Sequence, residues 1–314
     1  MSRNLNIKNI VIIGLIFAIL LTAVIWVISI IKIRSTDSEE TAVISVDKAV
    51  SVAADFNVSL EYLQTILPNY LIYTVGGEYM YQKLDPQIPR CDYDYSLLGQ
   101  DASGRITYND PQYADVLYGI DVSQYQGDID WPKVAADNVD FAYIRVGFRG
   151  YGSGKLVMDE KFSANIQGAK TAGLQVGVYF FSQAISIGEA EEEAQIVLDA
   201  IKDYDIDLPV VFDMEEIHNE TARTDNLSRE EASQITLAFC RKVEKSGYKC
   251  MIYGNTKWLA ARVDMSLLKD YPIWFAQYYY KPLFPYDFVL WQYSNSGSIE
   301  GIPAHVDMNI YLKP

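Results

Sequence analysis

From Tyr118 to the C-terminus, short apolar runs alternate with segments whose apolar residues recur at helical spacing. The apolar runs are typical of buried strands, and the helical patterns at 159–172, 187–202 and 228–245 separate the earlier ones. Eight strands are predicted: Tyr118–Asp121, Phe141–Phe148, Gln175–Gln183, Leu208–Glu215, Lys249–Asn255, Pro272–Tyr278, Phe288–Ser294 and Val306–Leu312.

This alternation predicts an α/β fold, because strands separated by helices assemble into a parallel sheet. The connections between the last three strands are shorter and contain no comparable helix. We therefore expect residues 116–314 to form a modified TIM-like β/α barrel of about eight strands, with helices mainly in its first five units.

Residues 10–31 form one apolar run without charge or proline. At about 1.5 Å per helical residue the run can cross a hydrocarbon layer of about 30 Å. A cleaved signal peptide would have a shorter apolar core and a small-residue exit, neither of which is present. Residues 1–35 are predicted to be a cytoplasmic stub and an uncleaved transmembrane helix that anchors the chain.

Residues 36–115 are predicted to form a small α+β module between the anchor and the barrel. Helical spacing over 46–67 is interrupted near Asn57, and 71–81 is typical of a hairpin that turns on Gly76 and Gly77. Asp101–Gly104 marks a second turn. The simpler interpretation is a membrane-proximal spacer, and wall or partner binding is the alternative.

The overall charge argues against one class of partner. The formal net charge is −15, so the phosphates of a nucleic acid would be repelled and no nucleic-acid partner is expected. Only two histidines are present, which is too few for a histidine-rich metal centre, and neither a metal nor another cofactor is predicted.

The chain contains three cysteines, Cys91, Cys240 and Cys250, too few for a disulfide framework. Cys240 falls in a predicted helix and Cys250 opens the following strand. A disulfide between these two is geometrically allowed in an oxidising exterior, and the alternative is that all three are small buried hydrophobic residues.

Four acids fall at predicted strand ends: Asp121 after the first strand, Asp213 and Glu215 on the fourth, and Asp307 on the eighth. Residues two apart on a strand point to the same side, and the first and eighth strands of a closed barrel are neighbours. The carboxylates should therefore meet at one mouth, where repulsion and desolvation raise the pKa of at least one. A neutral acid can protonate a leaving oxygen, and paired acids can cleave a glycosidic bond.

Aromatic side chains cluster at the same strand ends, where their faces could stack on sugar rings. The predicted substrate-binding residues are the aromatic Tyr179, Phe181, Tyr253, Trp274, Tyr278 and Trp291 and the polar Gln124, Arg145, Gln277 and Gln292. Packing in the core is the alternative role for each aromatic residue. The glycine-rich segment 147–155 does not have the spacing of a phosphate-binding loop and is interpreted as a mobile loop beside the cleft.

From about Tyr118 onward the chain resembles the glycoside hydrolase family 25 lysozymes, also called Chalaropsis-type N-acetylmuramidases. The matching segments are Gly119–Ser123, Gln126–Gly127, Ile129–Trp131, Tyr143–Arg145, Gly177–Phe181, Asp213–Glu215, Met251–Gly254, Trp274–Tyr278, Leu290–Ser294 and Val306–Asn309. The resemblance implies hydrolysis of the β-1,4 bond from N-acetylmuramic acid to N-acetylglucosamine in peptidoglycan, with retention of configuration and without a metal. It implies that Glu215 is the general acid, that Asp213 positions or stabilises the acetamido group as that group attacks, and that Asp121 and Asp307 are flanking acids. An enzyme carboxylate as the nucleophile is the alternative to the acetamido oxygen.

Two alternatives remain. A chitinase-like or endo-N-acetylglucosaminidase barrel also ends a strand in Asp-x-Glu, but its fuller motif has acids where this chain has Pro209 and Val211. A non-catalytic wall-binding scaffold would have no need for four acids at one mouth.

The expected location follows mainly from the implied substrate. Arg3 and Lys8 before the apolar run are matched by Lys32 and Arg34 after it, so the flanking charges do not decide the orientation. A wall-cleaving domain belongs outside the cytoplasm, so we expect a single-pass cell-membrane protein with its N-terminus inside. The expected partners are peptidoglycan glycan strands, the membrane and, through residues 36–115, a wall-crossing machinery. Local wall remodelling or opening is the expected role.

Overall fold

The computed structural model describes residues 45–113, 115–217 and 222–313. The chain divides into two compact units, Met1–Phe56 and Asn57–Pro314. In the first, the described residues form helix α1 (Val46–Asp55), which begins where the Ser45 side chain accepts a hydrogen bond from the Lys48 backbone N–H. All further elements belong to the second unit.

The strands of the second unit are β1 (Tyr70–Val75), β2 (Glu78–Lys83), β3 (Leu98–Gln100), β4 (Ile106–Tyr108), β5 (Leu117–Val122), β6 (Phe141–Arg149), β7 (Leu156–Met158), β8 (Gln175–Ser182), β9 (Val210–Met214), β10 (Cys250–Asn255), β11 (Ile273–Ala276), β12 (Leu290–Gly297) and β13 (Val306–Tyr311). Its helices are α2 (Leu60–Ile66), α3 (Trp131–Ala136), α4 (Phe162–Thr171), α5 (Ile187–Ile201), α6 (Arg229–Lys245) and α7 (Met265–Leu268). A π-helix covers Trp258–Arg262.

Eight of these strands close into a barrel in the order β5, β6, β8, β9, β10, β11, β12 and β13. Neighbours are parallel from β5 to β12, whereas β13 runs antiparallel to both β12 and β5 and closes the barrel. The strands are buried on both faces, because side chains fill the interior and other elements cover the outside. All eight predicted strands, and the modified β/α barrel, are confirmed.

Long helices cover the outside of the first part of the barrel. Ser186 caps the N-terminus of α5 and Ser228 that of α6, and each serine side chain accepts a hydrogen bond from a backbone N–H of the first turn. Glu231 returns a hydrogen bond to the Ser228 backbone and completes a capping box. The three predicted helices are present as α4, α5 and α6.

The glycine-rich segment 147–155, predicted to be a mobile loop beside the cleft, is a loop over residues 150–155, and its mobility stays a prediction. Its first residues extend β6, and β7 returns as an antiparallel strand beside them. The Arg149 guanidinium donates to the buried Glu193 carboxylate of α5 at 2.7 Å. Burial raises the pKa of Glu193 to about 7, and Arg149 opposes that rise. The hairpin is thereby tied to the helical layer.

Residues 57–113 form a module of α2 and two hairpins, β1–β2 and β3–β4. The predicted break near Asn57 is present, since this residue has a φ of 51° between the two helices. The predicted hairpin turns on Gly76 and Gly77, whose φ angles of 59° and 90° suit glycine. Side chains of this module, including Leu71, belong to the same buried cluster as the barrel.

The module covers the connection between β11 and β12, where a regular unit would carry a helix. The Tyr93 hydroxyl donates to the Phe288 carbonyl at 2.5 Å, and the Cys91 N–H donates to the Pro285 carbonyl at 3.0 Å. The Tyr286 hydroxyl accepts from the Asp85 N–H at 2.8 Å. This packing was not predicted, and the role of the module as a membrane-proximal spacer stays a prediction. The boundary predicted at 115/116 stays a prediction.

Two sequence-based expectations concern the membrane and the cysteines. Within the residues that the structure describes, no helix is long and apolar enough to cross a membrane, and the predicted span at 10–31 lies outside them. Cys240 and Cys250 are buried neighbouring thiols rather than the bridge that was allowed. Burial, followed by the hydrogen bond that the Cys250 thiol makes to Cys240, raises the pKa of Cys250. Cys91 is also free.

Candidate active site

The four predicted acids lie together at the mouth of the barrel. Asp121 and Asp307 are direct partners in the β5–β13 register, and Asp213 is in register with Phe181 of β8 and Tyr253 of β10. They border a cleft of about 250 Å³. Its lining residues are Asp121, Ser123, Tyr125, Gln126, Arg145, Tyr179, Phe181, Asp213, Glu215, Tyr253, Trp274, Tyr278, Gln292 and Asp307.

Asp121 is a buried carboxylate that accepts several hydrogen bonds. The side-chain amides of Gln292 and Asn309 each donate to its Oδ2 at 2.8 Å, and Asp307 also contacts it. Burial raises the pKa of Asp121, and the three side-chain hydrogen bonds oppose that rise. The seam between β5, β12 and β13 therefore holds this group in a fixed position.

Asp307 completes this pair as its protonated member. Burial, together with the charge of Asp121, raises the pKa of Asp307 to about 9. Two facing carboxyls of this kind cannot both ionise at neutral pH, so they share a proton. At neutral pH Asp307 donates that proton to Asp121.

The hydrogen bonds around Asp121 continue to the aromatic residues that line the cleft. The amide oxygen of Gln292 accepts hydrogen bonds from the hydroxyls of Tyr253 and Tyr278, each at 2.9 Å. The Trp274 indole N–H donates to the side-chain oxygen of Asn309 at 2.9 Å. With both amides satisfied on each side, only one amide orientation fits, and the two tyrosines and the tryptophan are fixed relative to Asp121.

Asp213 occupies a different environment on β9. It is 6% exposed, and among the described residues its Oδ1 has no hydrogen-bond partner. Burial, followed by the charges of Glu215 and Asp121, raises the pKa of Asp213 well above its usual value, while Arg145 lowers it. An unpartnered buried acceptor is costly, so this oxygen is available for a polar group of a ligand.

Glu215 follows β9 and points to the same cleft as Asp213, two residues earlier. Burial and then the charge of Asp121 raise the pKa of Glu215 to about 7. The next residue, Glu216, forms ion pairs with Lys257 and Arg262 instead. The chain therefore presents one acid to the cleft that is largely protonated below neutral pH and a neighbour that is paired elsewhere.

Arg145 of β6 also lines the cleft. Its Nε donates to the buried Asp159 carboxylate at 2.8 Å. The guanidinium lies 5.0 Å from the ring centre of Tyr125 and 5.3 Å from that of Phe148. Stacking and ion pairing together fix its position, from which its charge lowers the pKa of Asp213.

Three predicted substrate-binding residues do not line the cleft. Trp291 lies on β12 with a fully buried side chain, and its indole N–H donates to the Gln277 carbonyl at 2.9 Å. The Gln277 side chain accepts from the Leu283 N–H at 2.7 Å. The side-chain oxygen of Gln124 faces the Glu160 N–H. These three predictions are corrected, since each side chain stabilises backbone structure instead.

Sequence reasoning also missed residues that the structure places in or behind the cleft. Ser123, Tyr125 and Gln126 line it, while Asn309 and Asp159 hold its charged groups. Ser123 and Gln126 form a reciprocal capping box around the turn after β5. The spacing of Ser123 and Gln126 was a readable signal, whereas the pairing of Asp159 with Arg145 depends on the folded chain.

The cleft is built from carboxyls, amides and aromatic rings. Within residues 45–113, 115–217 and 222–313, no group of three or more His, Cys, Asp or Glu residues is arranged to hold a metal ion. Of the two histidines, His218 lies outside the described residues. The backbone carbonyl of His305 accepts from the Gln126 side chain at 3.2 Å.

Comparison with known proteins gives one family. The sequence profile described as "Glycosyl hydrolases family 25" matches residues 120–302, more than half of the chain. Protein YegX of Escherichia coli strain K12 is 32% identical over 62% of this chain and 69% of its own length. The autolytic lysozyme of Clostridium acetobutylicum is 28% identical over 62% of this chain and 55% of its own length.

Among solved structures, the modular autolysin LytC of Streptococcus pneumoniae, in complex with a synthetic peptidoglycan ligand, has a similar fold. The TM-score is 0.56 at 22% identity, over 78% of this chain and 57% of that one. This chain spans less than two thirds of the length of the autolysin and of the clostridial lysozyme.

Proposed function

The chain belongs to glycosyl hydrolases family 25, and from this premise we propose that its barrel cleaves the β-1,4 bond between N-acetylmuramic acid and N-acetylglucosamine in peptidoglycan. The barrel is a glycoside hydrolase of the lysozyme type. Peptidoglycan as the substrate is supported by the names of a lysozyme and an autolysin among the similar proteins. The observation that carries the proposal is Glu215, an acid with a pKa raised to about 7 at the cleft beside Asp213.

In the proposed reaction Glu215 gives its proton to the glycosidic oxygen as the bond from that oxygen to the anomeric carbon breaks. The acetamido oxygen of the N-acetylmuramic acid unit attacks the anomeric carbon of that unit from the opposite face. The enzyme therefore forms no covalent bond to the sugar. Asp213 would accept the acetamido N–H through its unpartnered oxygen and stabilise the positive charge that develops on this group.

Water then completes the cycle. The Glu215 carboxylate removes a proton from a water molecule, which adds to the anomeric carbon and releases the acetamido group. Two successive inversions give net retention of configuration. The pair of Asp121 and Asp307, fixed at the seam, would keep a negative charge near the developing positive charge and contribute to the raised pKa of Glu215.

The product ends of digested cell walls test this proposal. Purified peptidoglycan would be digested with the protein and reduced with borohydride, and the reduced sugars would be identified by mass analysis. Muramitol is the expected product. Glucosaminitol would favour an endo-N-acetylglucosaminidase, and the absence of any new reducing end would favour a non-catalytic wall-binding protein.

We further propose that residues 10–31 anchor the protein in the cell membrane with the barrel outside. The argument rests on the length and apolar character of that run and on the location of peptidoglycan. In this arrangement the enzyme would open or remodel the wall locally, beside a wall-crossing machinery. Protease treatment of intact protoplasts should degrade the barrel while the protein stays with membranes. Recovery of the barrel from culture medium would contradict the anchor.

A further inference from the structure

The cleft continues into an exposed aromatic turn that follows β11. Tyr278 lines the cleft, and the next two residues, Tyr279 and Tyr280, are 41% and 53% exposed. The rings of Tyr279 and Tyr280 lie side by side with centroids 4.5 Å apart. Adjacent aromatic faces that are open to solvent beside a glycan-binding cleft are suited to stacking against further sugar rings.

This turn is ordered by its own hydrogen bonds. The Tyr279 N–H donates to the Gln277 carbonyl at 3.0 Å, and the Gln277 side chain accepts from the Leu283 N–H. The Gln277 N–H in turn donates to the Gln292 carbonyl at 3.1 Å. The Gln292 side chain donates to Asp121, so Gln292 alone connects the aromatic turn to this buried carboxylate.

The turn is also held by the module at residues 57–113, which precedes the part of the chain that matches the family. Glu61 of α2 accepts from the Lys281 ammonium at 2.6 Å and from the hydroxyls of Tyr280 and Tyr279. The hydrogen bond from Lys281, followed by that from Tyr280, lowers the pKa of Glu61. The Lys281 ammonium lies 5.4 Å from the Tyr280 ring centre. One carboxylate therefore gathers the polar ends of both rings, while Lys281 lies over one face of Tyr280 and both rings stay partly exposed.

Glu61 is itself in a fixed position. On the same helix, the Gln64 side chain donates to the Tyr70 carbonyl at 2.6 Å and accepts from the Ile72 N–H at 3.2 Å. Leu63 is fully buried. The helix that carries Glu61 is thus packed onto the β1–β2 hairpin, and the carboxylate is presented from a rigid element.

We propose that Tyr279 and Tyr280 form an outer glycan-binding platform that extends the cleft beyond Tyr278, and that Glu61 of the module holds this platform in place. This inference rests on the proposed function, because it takes the substrate to be a glycan strand longer than the cleft. The module then covers the connection between β11 and β12 and also shapes the surface that selects long glycan strands.

The test compares a long substrate with a short one. The double variant Tyr279→Ala/Tyr280→Ala should lower kcat/KM on long, uncrosslinked glycan strands about ten-fold through KM, which corresponds to ~1.4 kcal/mol. On a tetrasaccharide, chosen as a substrate too short to reach the platform, the change should stay within about two-fold. Equal losses on the two substrates, or no loss on long strands, would overturn the platform.

Glu61→Gln tests the role of the module separately. It removes the charge that gathers Lys281 and the two hydroxyls, so KM on long strands should rise about three-fold while kcat stays constant. The matched control is Glu78→Gln, the same change at an exposed acid on the hairpin of the same module. Equal behaviour of the two variants would remove Glu61 from the proposal. Thermal unfolding midpoints establish that the variants are folded.

A binding measurement separates failure of the platform from failure of the proposed reaction. In the Glu215→Gln background, co-sedimentation with insoluble peptidoglycan reports binding without cleavage. Adding Tyr279→Ala/Tyr280→Ala should reduce the bound fraction. If the wild type cleaves neither substrate, the proposed reaction is wrong, and the co-sedimentation measurement alone tests the platform. An unchanged bound fraction would then contradict the platform.

Discussion

The two sides of the cleft hold their acids in opposite ways. At β9, Asp213 has an oxygen without a partner among the described residues, and Glu215 has a pKa raised to about 7 mainly by burial. At the seam of β5, β12 and β13, Asp121 accepts hydrogen bonds from Gln292 and Asn309. The β9 side is thus suited to changing protonation and receiving a ligand, whereas the seam is suited to staying fixed.

The outside of the barrel shows a related contrast. Helices α4, α5 and α6 cover the strands before β11, whereas the module at residues 57–113 covers the connection from β11 to β12. The seam therefore lies in the part of the barrel that the preceding module covers, and not in the part that is covered by the helices of strand–helix units. From this contrast we expect substitutions at β9 to reduce turnover and substitutions at the seam to affect stability and pH dependence.

The largest effect is expected for Glu215→Gln. The amide cannot donate an acidic proton, so kcat on peptidoglycan should fall by about 1,000-fold with little change in KM. The control is Glu216→Gln, because the neighbouring carboxylate pairs with Lys257 and Arg262 and not with the cleft. Wild-type turnover by Glu215→Gln, or equal loss in both variants, would contradict the assignment of the acid.

Asp213→Asn should have the next largest effect, a fall in kcat of about 100-fold, because an amide cannot develop the negative charge that stabilises the acetamido group in the transition state. The discriminating measurement repeats the assay on de-N-acetylated glycan. The wild type should cleave that substrate poorly, and Asp213→Asn should lower this residual rate only slightly. The same relative loss on both substrates would indicate a role unrelated to the acetamido group.

Asn309→Ala tests the seam. It removes one donor from Asp121 and the acceptor of the Trp274 indole, so we expect unfolding to become easier by about 1–3 kcal/mol and kcat to fall by about ten-fold. Asn295→Ala, at an exposed position on β12, is the control. Denaturant unfolding measures the stability change. A turnover loss as large as that of Glu215→Gln, without loss of stability, would contradict the division of roles between the two sides.

The smallest effect is expected for Asp307→Asn. The folded-state pKa of Asp307 is raised to about 9, so the folded protein keeps a proton that the unfolded chain loses near pH 4. This group therefore stabilises the fold less as the pH rises from about 4 to about 9. The asparagine variant, which can still donate to Asp121, lacks that loss and should unfold about 2–4 °C above the wild type at pH 9. Parallel curves of melting temperature against pH would contradict the shared proton.

Much of the barrel could be predicted from the sequence, because strand patterns are local and closure brings the first and last strands together. Asp121 and Asp307, 186 positions apart in the chain, were placed at one mouth on neighbouring strands by this reasoning, and the structure makes them direct partners. The i, i+2 spacing likewise placed Asp213 and Glu215 on one side. These predictions needed only the direction of side chains along a strand.

The errors have identifiable causes. Trp291 precedes Gln292 on the same strand, and successive side chains point to opposite faces, so only one of the two can face the cleft. Gln277 lies just past the end of β11, where the turn and not the strand alternation sets its direction. The packing of the module depends on contacts such as Tyr93 to Phe288, which are 195 positions apart and leave no local pattern.

The central claim is that Glu215, protonated in the cleft below a pH of about 7, supplies the proton, and the pH dependence of kcat/KM tests it most directly. The wild type should lose activity as the pH rises through about 7, when Glu215 ionises. In Asp121→Asn a negative charge that raises this pKa is removed, so the same loss should begin at lower pH. A loss that begins near 4.5 in the wild type, or one that Asp121→Asn does not move, would contradict the account.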